Sequence, residues 1–235
     1  DGHLIQGAHD EVGGRQLGRA RAELALLEHQ NRNLPPLVPV TDPAQWERVS
    51  RAGVEEFMAF LRRNDIMPVR DYFDQALLER RAGFVSPEGR DFFMEVELRD
   101  PLVMRCHGTH WFDRAQGLRE PHPSPVRSRP SPYNLWVSRA EGLATATEEM
   151  IMHAGLFEGR PRAKELVAIL VANRAARGLG GLRQLSGALT LDEARAFAHR
   201  NTPRAWLRED GRPDVEPGQV SQEDLERLRA LGYVP

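Results

Sequence analysis

A few residues beyond Pro161, the run Leu166-Val167-Ala168-Ile169-Leu170-Val171 is apolar on every side of a helix, and it constrains the fold more than any other stretch. A helix without a polar face is stable in water only when other elements surround it, so the rest of the chain must supply a shell. Pro161 suits a first helical turn, and Gly178, Gly180 and Gly181 read as the end of the helix. Elsewhere helical periodicity dominates and strand alternation is scarce. The expected fold is all-α, a multi-helix bundle with a long proline-rich loop.

The shell can be read helix by helix. A first helix is expected from about Glu11 to Asn31, interrupted early by Gly13 and Gly14, with Leu17, Leu24, Leu26 and Leu27 on its apolar side and Pro35, Pro36 and Pro39 after it. Thr41 or Asp42 caps a second helix that enters through Pro43 and runs to about Asn64. Trp46, Val49, Val54, Phe57, Phe60 and Leu61 face inward on it. Residues 69–82 form a shorter amphipathic segment, and Phe92 to Trp111 a longer one broken near Pro101. Thr190 and Glu193 make a capping box for a helix ending near Asn201, and Ser221 to Asp224 opens a looser version for a terminal helix over 221–232.

Between Gly117 and Pro132 lie five prolines with Arg119, Arg127 and Arg129 among them, which exclude regular helix or central strand. This loop is read as a lid or cleft wall, or else as a plain connector. The chain then divides into 1–40, an N-terminal helix and linker; 41–205, a helical domain that carries the candidate site; and 206–235, a linker and C-terminal helix.

With 235 residues the chain can bury one sizeable core or at most two small ones. Its 32 basic and 34 acidic residues leave a net charge of -2, which predicts no general attraction to nucleic acid or anionic membranes. Lys164 is the only lysine, so any anion site must be built from guanidinium forks. Cys106 is the only cysteine, which excludes an internal disulfide; it reads as inert packing, with a nucleophilic role the lesser alternative. No apolar run approaches the roughly 20 residues that span a bilayer. The chain starts at Asp1 without methionine, as a processed or trimmed product would, and with no signal segment visible a cytoplasmic location is the default expectation.

The chemistry concentrates in two segments. Glu141-Gly-Leu-Ala-Thr-Ala-Thr-Glu148-Glu149-Met-Ile-Met-His153 should be one helix, with Glu141 and Glu148 two turns apart and Glu149 and His153 an i, i+4 pair. Carboxylates among so many apolar residues are costly to bury unless a charge compensates them, and a metal ion would do so. Upstream, His107 and His110 are spaced i, i+3, so on a helix both imidazoles lie on one side and can share an ion with a carboxylate from a second helix. Two histidines and one glutamate are a common catalytic zinc set with an open position for water. Asn173, Arg174 and Arg177 interrupt the most apolar helix and need anionic partners. Each arginine reads either as a structural pair with Glu141 or Glu148 or as a fork for a substrate carboxylate; the first is favoured for Arg174, and the second for Arg177 on the family resemblance described next.

The helix from Glu141 to Glu148, followed by Ala154-Gly-Leu, Ala175-Ala-Arg177 and Leu189-Thr-Leu-Asp-Glu-Ala-Arg-Ala-Phe197, resembles the bacterial "domain of unknown function 885" family, helical proteins similar to gluzincin-type metallopeptidases. The resemblance covers about residues 55–205. It implies zinc or another divalent metal ion, with Glu148 matching the family's second helix glutamate and His107 and His110 its two-histidine segment. Leu143 stands where the family has Trp, and Gly108 where it has the Glu that acts as base. Glu149 or Asp113 would then take the base's part, with His153 either a further catalytic group or a helix C-terminal cap. The expected function is metal-dependent hydrolysis of a small amide, peptide or carboxylate-bearing substrate. A metal-dependent lyase or isomerase and a non-catalytic binding protein on the same scaffold are the alternatives.

Overall fold

The apolar run lies in the middle of the longest helix over which side chains are fully described. The computed structural model describes residues 2–124 and 135–203, with the side chains of 10–124 and 140–203. The loop from Pro125 to Asn134, the segment 206–235 and its expected helix lie outside these residues.

Among the described residues there are nine α-helices and no strand. They are α1 (Gly2–Gln30), α2 (Pro43–Asn64), α3 (Phe73–Arg80), α4 (Phe92–Arg99), α5 (Pro101–His107), α6 (Thr109–Arg119), α7 (Leu135–His153), α8 (Pro161–Leu185) and α9 (Leu191–Asn201). The all-α expectation holds, and no helix among these residues is long and apolar enough to cross a membrane.

α8 is enclosed from several sides. α1 lies along it, with Leu17 and Ala20 against Ala172 and Ala176, and Leu24 against Ala168 and Ile169. On another side Leu166, Val167 and Leu170 join the main core of Phe57, Leu61, Phe73, Leu102, Cys106, Phe112 and Ile151. Phe73 and Phe112 stack with ring centroids 4.2 Å apart, and Phe57 stacks on Phe112 at 6.5 Å. Burying each such side chain contributes about 1.5–3 kcal/mol relative to leaving it in water.

The glycines read as breaks do something else. α1 runs without interruption through Gly13 and Gly14; a Cβ on Gly13 would stand 3.1 Å from the Leu179 side chain, so this glycine lets α1 approach α8. Likewise α8 continues through Gly178, Gly180 and Gly181 to Leu185. A Cβ on Gly180 would lie 3.1 Å from the Ala194 carbonyl oxygen of α9. Gly187, at φ 76°, lies just past the end of α8. The capping signals act as read: Asp42 accepts from the backbone N–H groups of Ala44 and Gln45, and Thr190 and Glu193 form a complete capping box.

The segment from Phe92 is broken twice, once where expected and once where not. Asp100 accepts from the Leu102 N–H and Pro101 opens α5, so the first break has local chemistry behind it. The second is at Gly108, where α5 stops and α6 starts, and α6 then runs on to Arg119, which delays the proline-rich loop to Glu120. A Cβ on Gly108 would come within 2.5 Å of Leu77 Cδ2 and 3.0 Å of the Arg105 carbonyl oxygen. Leu77 is itself buried in the core, so any shift of its side chain must disturb neighbouring packing. Gly108→Ala is therefore expected to destabilise the protein by about 1–3 kcal/mol, the usual range for overpacking, and Gly108→Glu by more. Urea denaturation of both variants measures this; a Gly108→Ala midpoint equal to that of the wild type would show that the space exists after all.

Candidate metal centre

α7 packs against α5, α6 and α8, and its seven-residue spacing points Glu141 and Glu148 to the same side. Their surroundings differ sharply. Glu148 has no solvent exposure at all, whereas the Glu141 side chain is 53% exposed. Arg174, reaching across from α8, donates from Nη1 to Glu148 Oε2. The other oxygen, Oε1, lies 2.9 Å from His107 Nδ1. That contact is close but out of line, so Oε1 is enclosed without a well-directed hydrogen bond.

His107 is the last residue of α5 and His110 the second of α6, so the pair spans a helix junction rather than one continuous helix. The rings are nevertheless neighbours, with centroids 5.0 Å apart and planes at 63°. His110 Nδ1 is 2.7 Å from the His107 carbonyl oxygen. A carbonyl can only accept, so Nδ1 carries the proton and the His110 lone pair resides on Nε2. Burial holds the His110 imidazole below its ordinary protonation range, which keeps it in the neutral form that binds metals. His107 Nε2 lies 3.5 Å from Glu141 Oε2.

His107, His110 and Glu141 each offer a ligand atom, and these atoms lie within 4.8 Å of one another. Two imidazole nitrogens and one carboxylate oxygen make a donor set suited to zinc. The glutamate in this group is Glu141. Glu148, which the family resemblance puts among the ligands, sits behind His107 between its Nδ1 and Arg174. The signal for Glu141 was present in the sequence, since a two-turn spacing gives it the same bearing on α7 as Glu148.

The remaining residues singled out from the sequence are scattered around this group. Glu149, about 100° further round α7, faces α1, where Arg19 grips both its oxygens, with Nη2 to Oε2 at 2.9 Å. The Arg19 guanidinium holds the Glu149 carboxyl below the usual carboxylate range. His153 accompanies it, with Nε2 3.8 Å from Glu149 and 4.0 Å from Glu23. Glu23, Glu149 and His153 form a second group, and neither Glu149 nor His153 is brought to His107. Asp113 is half-buried on α6, one turn beyond His110, and belongs to neither group. Arg174 and Arg177 both stack over Phe93, at 5.6 and 5.9 Å, but only Arg174 has a carboxylate; Arg177 is exposed and carries no ion pair among the described residues. Cys106 is completely buried with Sγ directed at the Leu102 carbonyl oxygen, 3.6 Å away. Burial pushes its thiol well above the ordinary value, which agrees with inert packing.

Comparison of the chain with family models, with curated proteins and with solved structures returns no match.

Two outcomes follow from this geometry. Arg174→Gln leaves a buried charge on Glu148 without its partner and should cost about 3–5 kcal/mol, whereas Arg177→Gln should change stability by less than about 0.5 kcal/mol. Thermal melting of the two variants compares them, and a large loss for Arg177→Gln would reverse the roles. The Arg19–Glu149 pair adds a pH signature. A carboxyl held below its unfolded value contributes stability above that value, near 4.5, and loses it as pH falls through the lower folded value. The stability gap between wild type and Arg19→Gln should be steady at neutral pH and close in acid below about 4.5; a gap that persists there means the pair does not carry the effect.

Proposed function

We propose that the chain is a metal-dependent hydrolase of a small amide, peptide or carboxylate-bearing substrate, with a divalent ion, zinc in the first instance, held by His107 Nε2, His110 Nε2 and the Glu141 carboxylate. The observation that carries the reading is the state of the nitrogens that would not bind metal. His110 Nδ1 donates to the His107 carbonyl oxygen, while His107 Nδ1 lies 2.9 Å from Glu148 Oε1 and 3.4 Å from Arg174 Nη2, and His107 Nε2 lies 3.5 Å from Glu141 Oε2. Metal-binding histidines characteristically have such partners, which fix the ring and raise its basicity. Nothing about an ordinary pair of packed histidines requires both.

In this reading an ion at the site supplies Lewis acidity for a carbonyl and activates water. Glu148 is a positioning residue that orients His107, and Arg174 anchors Glu148. Asp113, one turn beyond His110, takes the part of the general base, because Glu149 is engaged with Arg19 on the α1 side. A gluzincin-like peptidase scaffold, as the sequence resemblance suggests, agrees in kind with this assignment. One observation favours a lyase or isomerase as the second reading: Glu148 and Glu149 are each committed to an arginine, so α7 adds no uncommitted carboxylate for activating water. Product analysis with a candidate amide separates the two, since only hydrolysis consumes water.

The test is elemental analysis of protein purified without chelator or metal-affinity resin. About one divalent ion per chain is expected in the wild type and in Glu149→Gln, with strong losses in His110→Ala and Glu141→Gln. Glu148→Gln should weaken retention about 10–100-fold rather than abolish it, as loss of an orienting carboxylate does. A wild type with almost no metal, after metal has been offered during purification, would end the metalloenzyme reading.

A further inference from the structure

Next to His110, the Trp111 indole connects the candidate centre to two arginines that have no carboxylate partner among the described residues. The His110 and Trp111 rings lie 4.4 Å apart at 48°. The Arg80 guanidinium stands over the indole at 4.9 Å and that of Arg114 at 5.9 Å. Arg114 follows His110 by four residues and Trp111 by three, so it neighbours both along α6. Arg80 comes from a different element, as the last residue of α3, which packs on α6. Two cations from two helices thus converge on one aromatic ring, separated from a candidate metal ligand by the width of an indole.

Resting on the metal reading above, we propose that Arg80 and Arg114, mounted on Trp111, bind a carboxylate group of the molecule that docks at His107, His110 and Glu141. Neighbouring arginines are already committed: Arg174 to Glu148, Arg62 to Asp74 and Arg70 to Glu120. Arg80 and Arg114 are exposed and hold no ion pair among the described residues, and their recorded contact is with the indole. A guanidinium stacked on an aromatic face keeps its N–H edges directed outward, and those edges match a carboxylate in a bidentate fork. The electrostatics point the same way. A divalent ion held by a single carboxylate leaves a net positive centre, and two nearby cations extend that field toward an anionic ligand. The substrate class this selects is an amide or acyl compound with a free carboxylate a short distance from the bond that is cleaved, as at the end of a small peptide.

The test uses zinc-loaded full-length protein and two probes measured by titration calorimetry. Acetohydroxamate carries a metal-binding head alone, and succinic monohydroxamate carries the same head with a carboxylate arm. The wild type should bind the second at least about tenfold more tightly than the first. In Arg80→Gln/Arg114→Gln that ratio should fall to near one, with zinc content and acetohydroxamate affinity unchanged, while Arg177→Gln keeps the wild-type ratio. Each single variant should lower the ratio partway, so a folding defect in the double variant leaves the question answerable. Zinc bound, with the same ratio in wild type and in these variants, overturns the carboxylate site and leaves the metal reading intact. Loss of the ratio in Arg177→Gln instead assigns the anion to α8 and also overturns it. Failure of the wild type to bind zinc overturns both.

Discussion

A carboxylate with no exposure to water, Glu148, governs how three helices of this protein meet. Its neighbours along α7 include the buried Ala144, Ile151 and Met152, so its charge cannot be left to solvent. Arg174 answers it from α8, a helix whose own apolar character would otherwise make a guanidinium at that place unfavourable. Each residue is tolerable only because the other is present, and together they tie α7 to α8 at one register. Replacement of such pairs by apolar side chains is often neutral or stabilising, so stability alone is a poor account of why the pair exists. What it does beyond stability is visible at Oε1, which is turned to His107 Nδ1. The ion pair that joins two helices also touches an imidazole on a third, with Arg174 Nη2 3.4 Å from the same His107 nitrogen.

The junction at Gly108 is the second constraint. The last carbonyls of α5 have no intrahelical partners, and one of them, on His107, receives the His110 imidazole N–H instead. A helix end thereby does the work that a second carboxylate would do in fixing a ring. The same glycine is pressed against Leu77, so the junction is held open by the core and by the absence of a side chain. A Cβ at this position would also meet the Arg105 carbonyl oxygen, which gives a physical reason for glycine at the junction.

Part of this was legible from residues close together in the chain. Asp42 before Pro43, Thr190 with Glu193, the break near Pro101 and the apolar run around Ile169 act through neighbours within four residues, and sequence displays such neighbours directly. Gly13 and Gly180 were misread because a glycine inside a helix costs about 1 kcal/mol against alanine, which favours reading it as a break. The offsetting contacts come from Leu179 and Ala194, far away in sequence. His107 and His110 were recognisable as a pair for a simpler reason: three residues cannot separate them far, whether or not a junction intervenes.

The choice among the glutamates shows where sequence stops. Periodicity alone establishes that Glu141 and Glu148 share one side of α7 and that Glu149 lies about 100° away. It also establishes that an arginine in an apolar helix must find an anion. It cannot say which glutamate meets the arginine and which is left to the histidines, because that depends on where α5 and α8 cross α7 along its length. Helix crossings are settled by packing of remote surfaces: α1 against α8 through small residues, and α5 between α2 and α7. The helices, their caps and the candidate side chains were thus determined by local sequence, while the pairing of Glu148 with Arg174 and of Glu141 with His107 was decided only by tertiary packing, because these are distance relations between helices that local chemistry does not contain.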